Sequence, residues 1–177
     1  MYKILLAGFG GQGILFAGKQ LATAGMKADK NVTWLPSYGP EMRGGTCNCS
    51  VIVSDTEIGS PLVDNPNIFL CFNLPSYYKF ESKVEKDGIM ICDSSLISEK
   101  SKRTDIKALY IPATELADKA GLSGKANVVI LGYLIKASKM FDYDFFKQLM
   151  VDSIKEKKPA LAEANEKALV LGYNYEG

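Results

Sequence analysis

Apolar residues fall along this chain in short runs, separated by longer stretches in which they recur at helical spacing. YKILLAG, residues 2 to 8, is an apolar run closed by glycine and predicts a buried strand. After a glycine-rich turn, Ile14, Ala17, Gly18, Leu21, Ala22 and Gly25 share one face of a helix, and that face is unusually small, so the helix can lie close on a sheet. Lys19, Gln20, Thr23 and Lys27 fall mostly elsewhere on the wheel and supply its solvent side. NVTWLPS (31 to 37) predicts a second strand. TCNCSVIVSD (46 to 55) alternates, with Cys47, Cys49, Val51 and Val53 on one face and Thr46, Asn48, Ser50 and Ile52 on the other. NIFLCFN (67 to 73) and GIMICD (88 to 93) are continuous apolar runs, the pattern of strands buried on both faces of a parallel sheet, and LYIPA (109 to 113) predicts another.

Helical patterns fill the intervals. They cover SYYKFESKVEKDG (76 to 88), ATELADKAG (113 to 121) and NVVILGYLIKASKMF (127 to 141), the last long enough for a buried helix rather than a strand. Phe145, Phe146, Leu149, Met150 and Ile154 mark an amphipathic helix, and Pro159 suits the first turn of a final helix running to about Leu171. Strands alternating with helices predict an α/β fold: a Rossmann-like, doubly wound, mostly parallel sheet with helices on both faces and C-terminal helices. With 177 residues the chain suits a single domain, 1–177.

Composition narrows the classes. Hydrophobic residues at 47% and charged residues at 23% place the chain among soluble globular proteins and exclude fibrous and disordered ones. The 21 basic and 20 acidic residues leave a net charge of +1, which argues against nucleic acid as a partner, and the short Lys155 to Lys158 run, interrupted by Glu156, reads as a solvated helix end. MYKILLAG passes straight into glycines rather than into a signal-peptide core, and no stretch reaches the roughly 18 apolar residues of a membrane span. A cytoplasmic location without membrane contact is expected. Cys47, Cys49, Cys71 and Cys92 lack C-x-x-C spacing and read as reduced core thiols; a metal site would require Cys71 and Cys92 to converge on the other two. With no histidine, neither a Ser-His nor a Cys-His pair nor a histidine-held metal can be built, so no catalytic residue is assigned and difficult chemistry on this chain alone is not expected.

Two motifs carry candidate chemistry. Gly8-Phe9-Gly10-Gly11-Gln12-Gly13 fits G-x-G-x-x-G between a strand and a helix, which makes Gly8, Gly10, Gly11 and Gly13 a candidate anion or phosphate loop. The dinucleotide fingerprint also needs an acid at the end of the second strand, and here that strand ends in Ser37-Tyr38-Gly39, with Asp29 before it and Glu41 past a Gly-Pro turn. A free-standing NAD(P)-binding oxidoreductase is therefore the alternative reading, and Gly10 and Gly13 serve equally well for chain reversal and close packing. The second motif is SYGPEMRGG (37 to 45), where Gly39-Pro40 and Gly44-Gly45 exclude helix and central strand. Arg43 offers a planar fork for a carboxylate or phosphate and Glu41 can orient it or pair across an interface; equally, the two can brace their own loop.

The segments GFGGQGILFAGKQLA, SYGPEMRGGTCNCSVIVSDTEIGSPLVDNP and KANVVILGYL, in this order, resemble the gamma subunit (gamma domain) of the 2-oxoacid:ferredoxin oxidoreductases, over most of the chain. The form of the second segment is most similar to the 2-oxoglutarate branch, with pyruvate, branched-chain 2-oxoacid and indolepyruvate enzymes as neighbours. The resemblance implies a multisubunit complex that oxidatively decarboxylates a 2-oxoacid to its acyl-CoA and passes electrons to ferredoxin. It implies alpha and beta subunits as partners, with a delta subunit where the complex has one. Thiamine diphosphate and iron–sulfur clusters would lie on those partners, with no cofactor on this chain, which would be inactive alone and would help form the coenzyme A approach. Tyr38, Gly39, Pro40, Glu41, Arg43, Gly44 and Gly45 then read as an interface or site-lining loop, and self-association of the isolated chain is expected from an uncovered partner face.

Overall fold

The computed structural model describes residues 1–38 and 46–177. Six strands, β1 (Tyr2–Phe9), β2 (Asn31–Tyr38), β3 (Thr46–Ser54), β4 (Ile68–Cys71), β5 (Ile89–Asp93) and β6 (Lys107–Ile111), form one sheet in the order β2-β3-β1-β4-β5-β6. Around it lie α1 (Ile14–Lys27), α2 (Leu74–Phe80), α3 (Ala113–Lys119), α4 (Ala126–Ser138), α5 (Tyr143–Lys157) and α6 (Pro159–Tyr173). β1, β4, β5 and β6 are parallel, whereas β3 runs antiparallel to both β1 and β2. The reversal follows from chain length: the seven residues 39 to 45 between β2 and β3 are too few for a parallel crossover, which takes a dozen or more.

Side chains alternate across the sheet, and both faces are buried. Ile4, Leu6, Val51, Leu70 and Ile91 face a layer made of α1, α3, α4, α5 and α6, while Leu5, Ala7, Phe69, Met90 and Cys92 pack beneath α2 with Ile97. Helices thus cover both faces as expected from the sequence, but unequally. The small face of α1 does what its composition implied: a Cβ at Gly18 would stand 2.4 Å from Cys49 Sγ, so α1 lies against β3 with no room for a larger residue. α4 and α6 touch backbone to backbone. A Cβ at Gly132 would lie 2.1 Å from the Leu169 carbonyl oxygen, and one at Gly172 1.8 Å from that of Val129.

Two local expectations are corrected. The helix predicted over 76 to 88 stops at Phe80, followed by a single 3-10 turn at Glu81–Lys83. Val84 there turns extended and buries itself under the sheet, and Arg103 Nη1 donates to the carbonyls of Glu81 (3.0 Å) and Val84 (2.8 Å), taking the place of further helical bonds. Gln20, assigned to the solvent side of α1, is buried against α5, where its amide oxygen meets the Ser153 hydroxyl at 3.1 Å.

Candidate functional site

β1, β4, β5 and β6 end at one edge of the sheet, and the register Phe9↔Thr46 and Tyr38↔Cys47 brings the end of β2 and the start of β3 to the same edge. From β1 the sheet continues to β3 on one side and to β4 on the other. A crevice beyond the carboxyl ends of the strands at such a divergence is where open α/β sheets receive ligands.

The glycine loop sits at that crevice and is fastened by Gln12. Its Oε1 accepts the Phe9 N–H at 2.6 Å and its Nε2 donates to the Phe72 carbonyl at 2.9 Å, tying the end of β1 to the chain leaving β4. A Cβ at Gly8 would stand 2.5 Å from that Oε1, so the clamp needs glycine there. Gly11 (φ 98°) and Gly13 (φ 75°) hold left-handed conformations open to glycine at no steric cost. Gly13 is also the N-cap of α1, which has no side-chain cap and no acid in its first turn. Its leading N–H groups therefore keep their donor capacity and partial positive charge.

α4 presents a second such terminus. It too has no side-chain cap and no acid in its first turn, and Lys125 stands at its N-cap. Asn127 joins the two helices by donating from Nδ2 to the Gly13 carbonyl at 3.2 Å, while its own Oδ1 is buried without a hydrogen-bond partner. A cavity of about 270 Å³ lies against this pair, lined by Gly11, Gln12, Phe72, Asp93, Thr114 and Gly124 among others. Asp93 looks like a candidate base but is already engaged: its carboxylate accepts the Thr114 hydroxyl at 2.6 Å, the Thr114 N–H at 3.2 Å and the Ser95 N–H at 3.0 Å, which fixes α3 to the end of β5. Chemically the two uncapped termini suit an anion, and Asp93 is not free for proton transfer.

Gly10, Gly11 and Gly13 thus form one turn directly after Gly8, which lies within β1, and Tyr38 ends β2 at the same edge. Gly39, Pro40, Glu41, Arg43, Gly44 and Gly45 lie outside the described residues. Gln12, Lys125 and Asn127 were missed as site residues, although a lone polar residue opening the apolar run KANVVILGYL was a visible signal for Asn127. Geometry removes the basis of the NAD(P) alternative: the parallel strand beside β1 is β4, followed by Phe72-Asn73 with no carboxylate, and β2 lies beyond β3. The convergent cysteine reading also falls. Cys47 and Cys49 face the α1 layer whereas Cys71 and Cys92 face α2, on opposite sides of the sheet. Burial, reinforced by Cys47, pushes the Cys49 thiol up to about 12, and burial beside Cys92 raises Cys71 as well, so both stay neutral. Among the described residues no helix is long and apolar enough to cross a membrane.

Comparison with known proteins adds independent findings. A family model described as pyruvate ferredoxin/flavodoxin oxidoreductase matches residues 3–175. The 2-oxoglutarate synthase subunit KorC of Methanocaldococcus jannaschii is 34% identical over 155 residues, covering 86% of this chain and 83% of that protein. The ketoisovalerate oxidoreductase subunit VorA of Methanothermobacter marburgensis is 39% identical over 133 residues, 75% of this chain, but the chain spans only 28% of that protein's length. Among solved structures, a keto/oxoacid ferredoxin oxidoreductase gamma subunit from Geobacter sulfurreducens superimposes with a TM-score of 0.81 at 24% identity, over 98% of this chain and 96% of that one. The 2-oxoglutarate:ferredoxin oxidoreductase of Magnetococcus marinus, solved with 2-oxoglutarate, coenzyme A and succinyl-CoA bound, gives 0.84 at 23% identity over 99% of this chain and 31% of that one. At these identities the two structures establish a shared fold.

Proposed function

Because the chain belongs to the pyruvate ferredoxin/flavodoxin oxidoreductase family, we propose that it is the gamma-type subunit of a cytoplasmic 2-oxoacid:ferredoxin oxidoreductase whose substrate is 2-oxoglutarate. The observation that carries this reading is the near full-length correspondence with KorC, a separate chain of similar extent named as a subunit of 2-oxoglutarate synthase. The complex would convert the 2-oxoacid, coenzyme A and oxidised ferredoxin to acyl-CoA, carbon dioxide and reduced ferredoxin. Thiamine diphosphate and iron–sulfur clusters would be held by alpha and beta subunits, and by a delta subunit where present. The part of this chain would be to bind and to orient. The uncapped ends of α1 and α4, with Lys125, suit a phosphate of coenzyme A, and the orphaned Asn127 Oδ1 marks a polar group lacking its donor. The segment 39 to 45, anchored at that edge by β2 and β3, would meet the partner chains through Glu41 and Arg43.

A branched-chain substrate is the second reading, favoured by the higher identity to VorA. Co-expression with the neighbouring thiamine-binding subunits, followed by assay of ferredoxin reduction and acyl-CoA formation, decides between them. Turnover of 2-oxoglutarate well above that of ketoisovalerate, pyruvate and indolepyruvate is expected. Turnover with none of the four, in a complex that assembles, would remove the proposal.

A further inference from the structure

From Gly13, Lys125 and Asn127 at the glycine-loop site, a groove of about 690 Å³ runs along α1, with the end of α5 and the start of α6 as its other wall. Its walls are largely apolar, with Phe16, Leu149 and Leu161 among them. Three neutral amides are set into it, Gln20, Asn127 and Asn165, each more than nine-tenths buried. One end of the Gln20 amide meets the Ser153 hydroxyl, and Asn165 Nδ2 donates to the Leu161 carbonyl at 2.7 Å. The other ends, Gln20 Nε2 and Asn165 Oδ1, have no partner among the described residues and are not sealed from solvent, so a donor and an acceptor are left for whatever enters. Charge is confined to the rest of the lining, where five lysines, including Lys19, Lys157 and Lys158, stand against two carboxylates, Asp152 and Glu156. None of the five pairs with a carboxylate among the described residues.

We infer that this groove binds a nucleoside phosphate. A volume of this size accepts a ligand of about drug size. Buried amides with one free donor and one free acceptor match the edge of a base or the hydroxyls of a sugar, apolar walls match the faces of a ring, and exposed lysines match a phosphate group. A fatty acid would leave the amides unanswered, which is costly for buried polar groups, and a small dicarboxylate would leave most of the groove empty. The groove shares Gly13, Gly124, Lys125 and Asn127 with the glycine-loop site and extends from there along the flank of α1 to α5 and α6, so the inference rests on that site at one end and goes beyond it at the other. The nucleoside phosphate can be a free nucleotide or the nucleotide end of a coenzyme.

Calorimetric titration of the full chain with AMP, ADP, ATP, coenzyme A and inorganic pyrophosphate tests it. Saturable binding of a nucleotide is expected, weakened at least tenfold by Gln20→Leu and by Lys157→Glu, and abolished by Leu161→Trp, which fills the slot from an exposed position and should leave the melting temperature unchanged. ADP binding more tightly than coenzyme A identifies a free nucleotide as the source, and the reverse order identifies the coenzyme; either supports the site. No saturable nucleotide binding, pyrophosphate binding as tightly as ADP, or nucleotide binding untouched by all three variants overturns it. Failure here leaves the oxidoreductase proposal standing, since that is read from turnover of the assembled complex.

Discussion

At the residue scale, Asn127 joins two helix termini at the glycine loop, and if coenzyme A binds there as proposed, this amide positions rather than reacts. Asn127→Asp would replace the Nδ2 donor to Gly13 by an anion between two partial positive ends. In the assembled complex this should raise the KM for coenzyme A at least tenfold, about 1.4 kcal/mol, with kcat much less affected. Asn127→Ser, which keeps a donor and no charge, should recover part of the loss. Equal effects of the two variants on KM would show that only packing is at stake. The buried thiols give a second prediction. Cys49 titrates near 12 in the folded chain against an ordinary value of 9.0. The unfolded chain therefore loses this proton first, so the stabilisation is whole below about pH 9 and declines as pH rises toward 12, by about 1.4 kcal/mol per pH unit for this thiol. Urea unfolding between pH 7 and 11 should show the decline, and Cys49→Ala should make it shallower. An unchanged slope in that variant would place the titration elsewhere.

At the scale of elements, the backbone contact of α4 with α6 is the tightest packing described, and it depends on Gly132 and Gly172. Gly172→Ala drives a methyl into the Val129 carbonyl, a backbone atom that cannot rotate away, so a loss of about 3 kcal/mol or more is expected. Thermal unfolding of the variant measures it, and a melting temperature equal to the parent's would mean that the two helices separate without cost. The existence of every strand was legible in the apolar runs, because burial on both faces leaves a continuous signal in β4 and β5. Direction was not legible, since hydrophobic period is the same in parallel and antiparallel strands; the shortness of the link after β2 held that information. The helix end at Phe80 was hidden for another reason. The carbonyls just past that end, those of Glu81 and Val84, are taken up by Arg103, some twenty residues away and visible only in three dimensions. The site divided the same way: the glycine turn could be read locally, whereas Asn127 reaches it from 114 residues further along the chain.

At the scale of the whole molecule, the carboxyl edge carries two exposed apolar side chains. Phe9, at the end of β1, is 36% exposed and Leu96, just past β5, is 48% exposed, both beside the glycine loop and both without charge to keep water attractive. Single apolar residues on a surface are ordinary, but these two lie at the rim of the crevice, where a partner subunit of the proposed complex would cover them. If partner subunits cover this edge, Leu96→Glu should leave the melting temperature of the isolated chain unchanged, because the side chain contributes little to its own core, yet reduce recovery of the assembled complex. Arg43→Ala should behave alike if its guanidinium meets a partner carboxylate or a coenzyme phosphate, costing about 2 to 5 kcal/mol in assembly or coenzyme binding, much of it from the charge left unpaired opposite. A brace confined to its own loop gives the opposite pattern, a less stable isolated chain that still forms a normal complex. Sedimentation of the isolated chain over a range of concentrations supplies the remaining measurement. Self-association that Leu96→Glu suppresses is the expected result, and a strict monomer whose L96E variant still assembles with full yield would show that partners dock elsewhere.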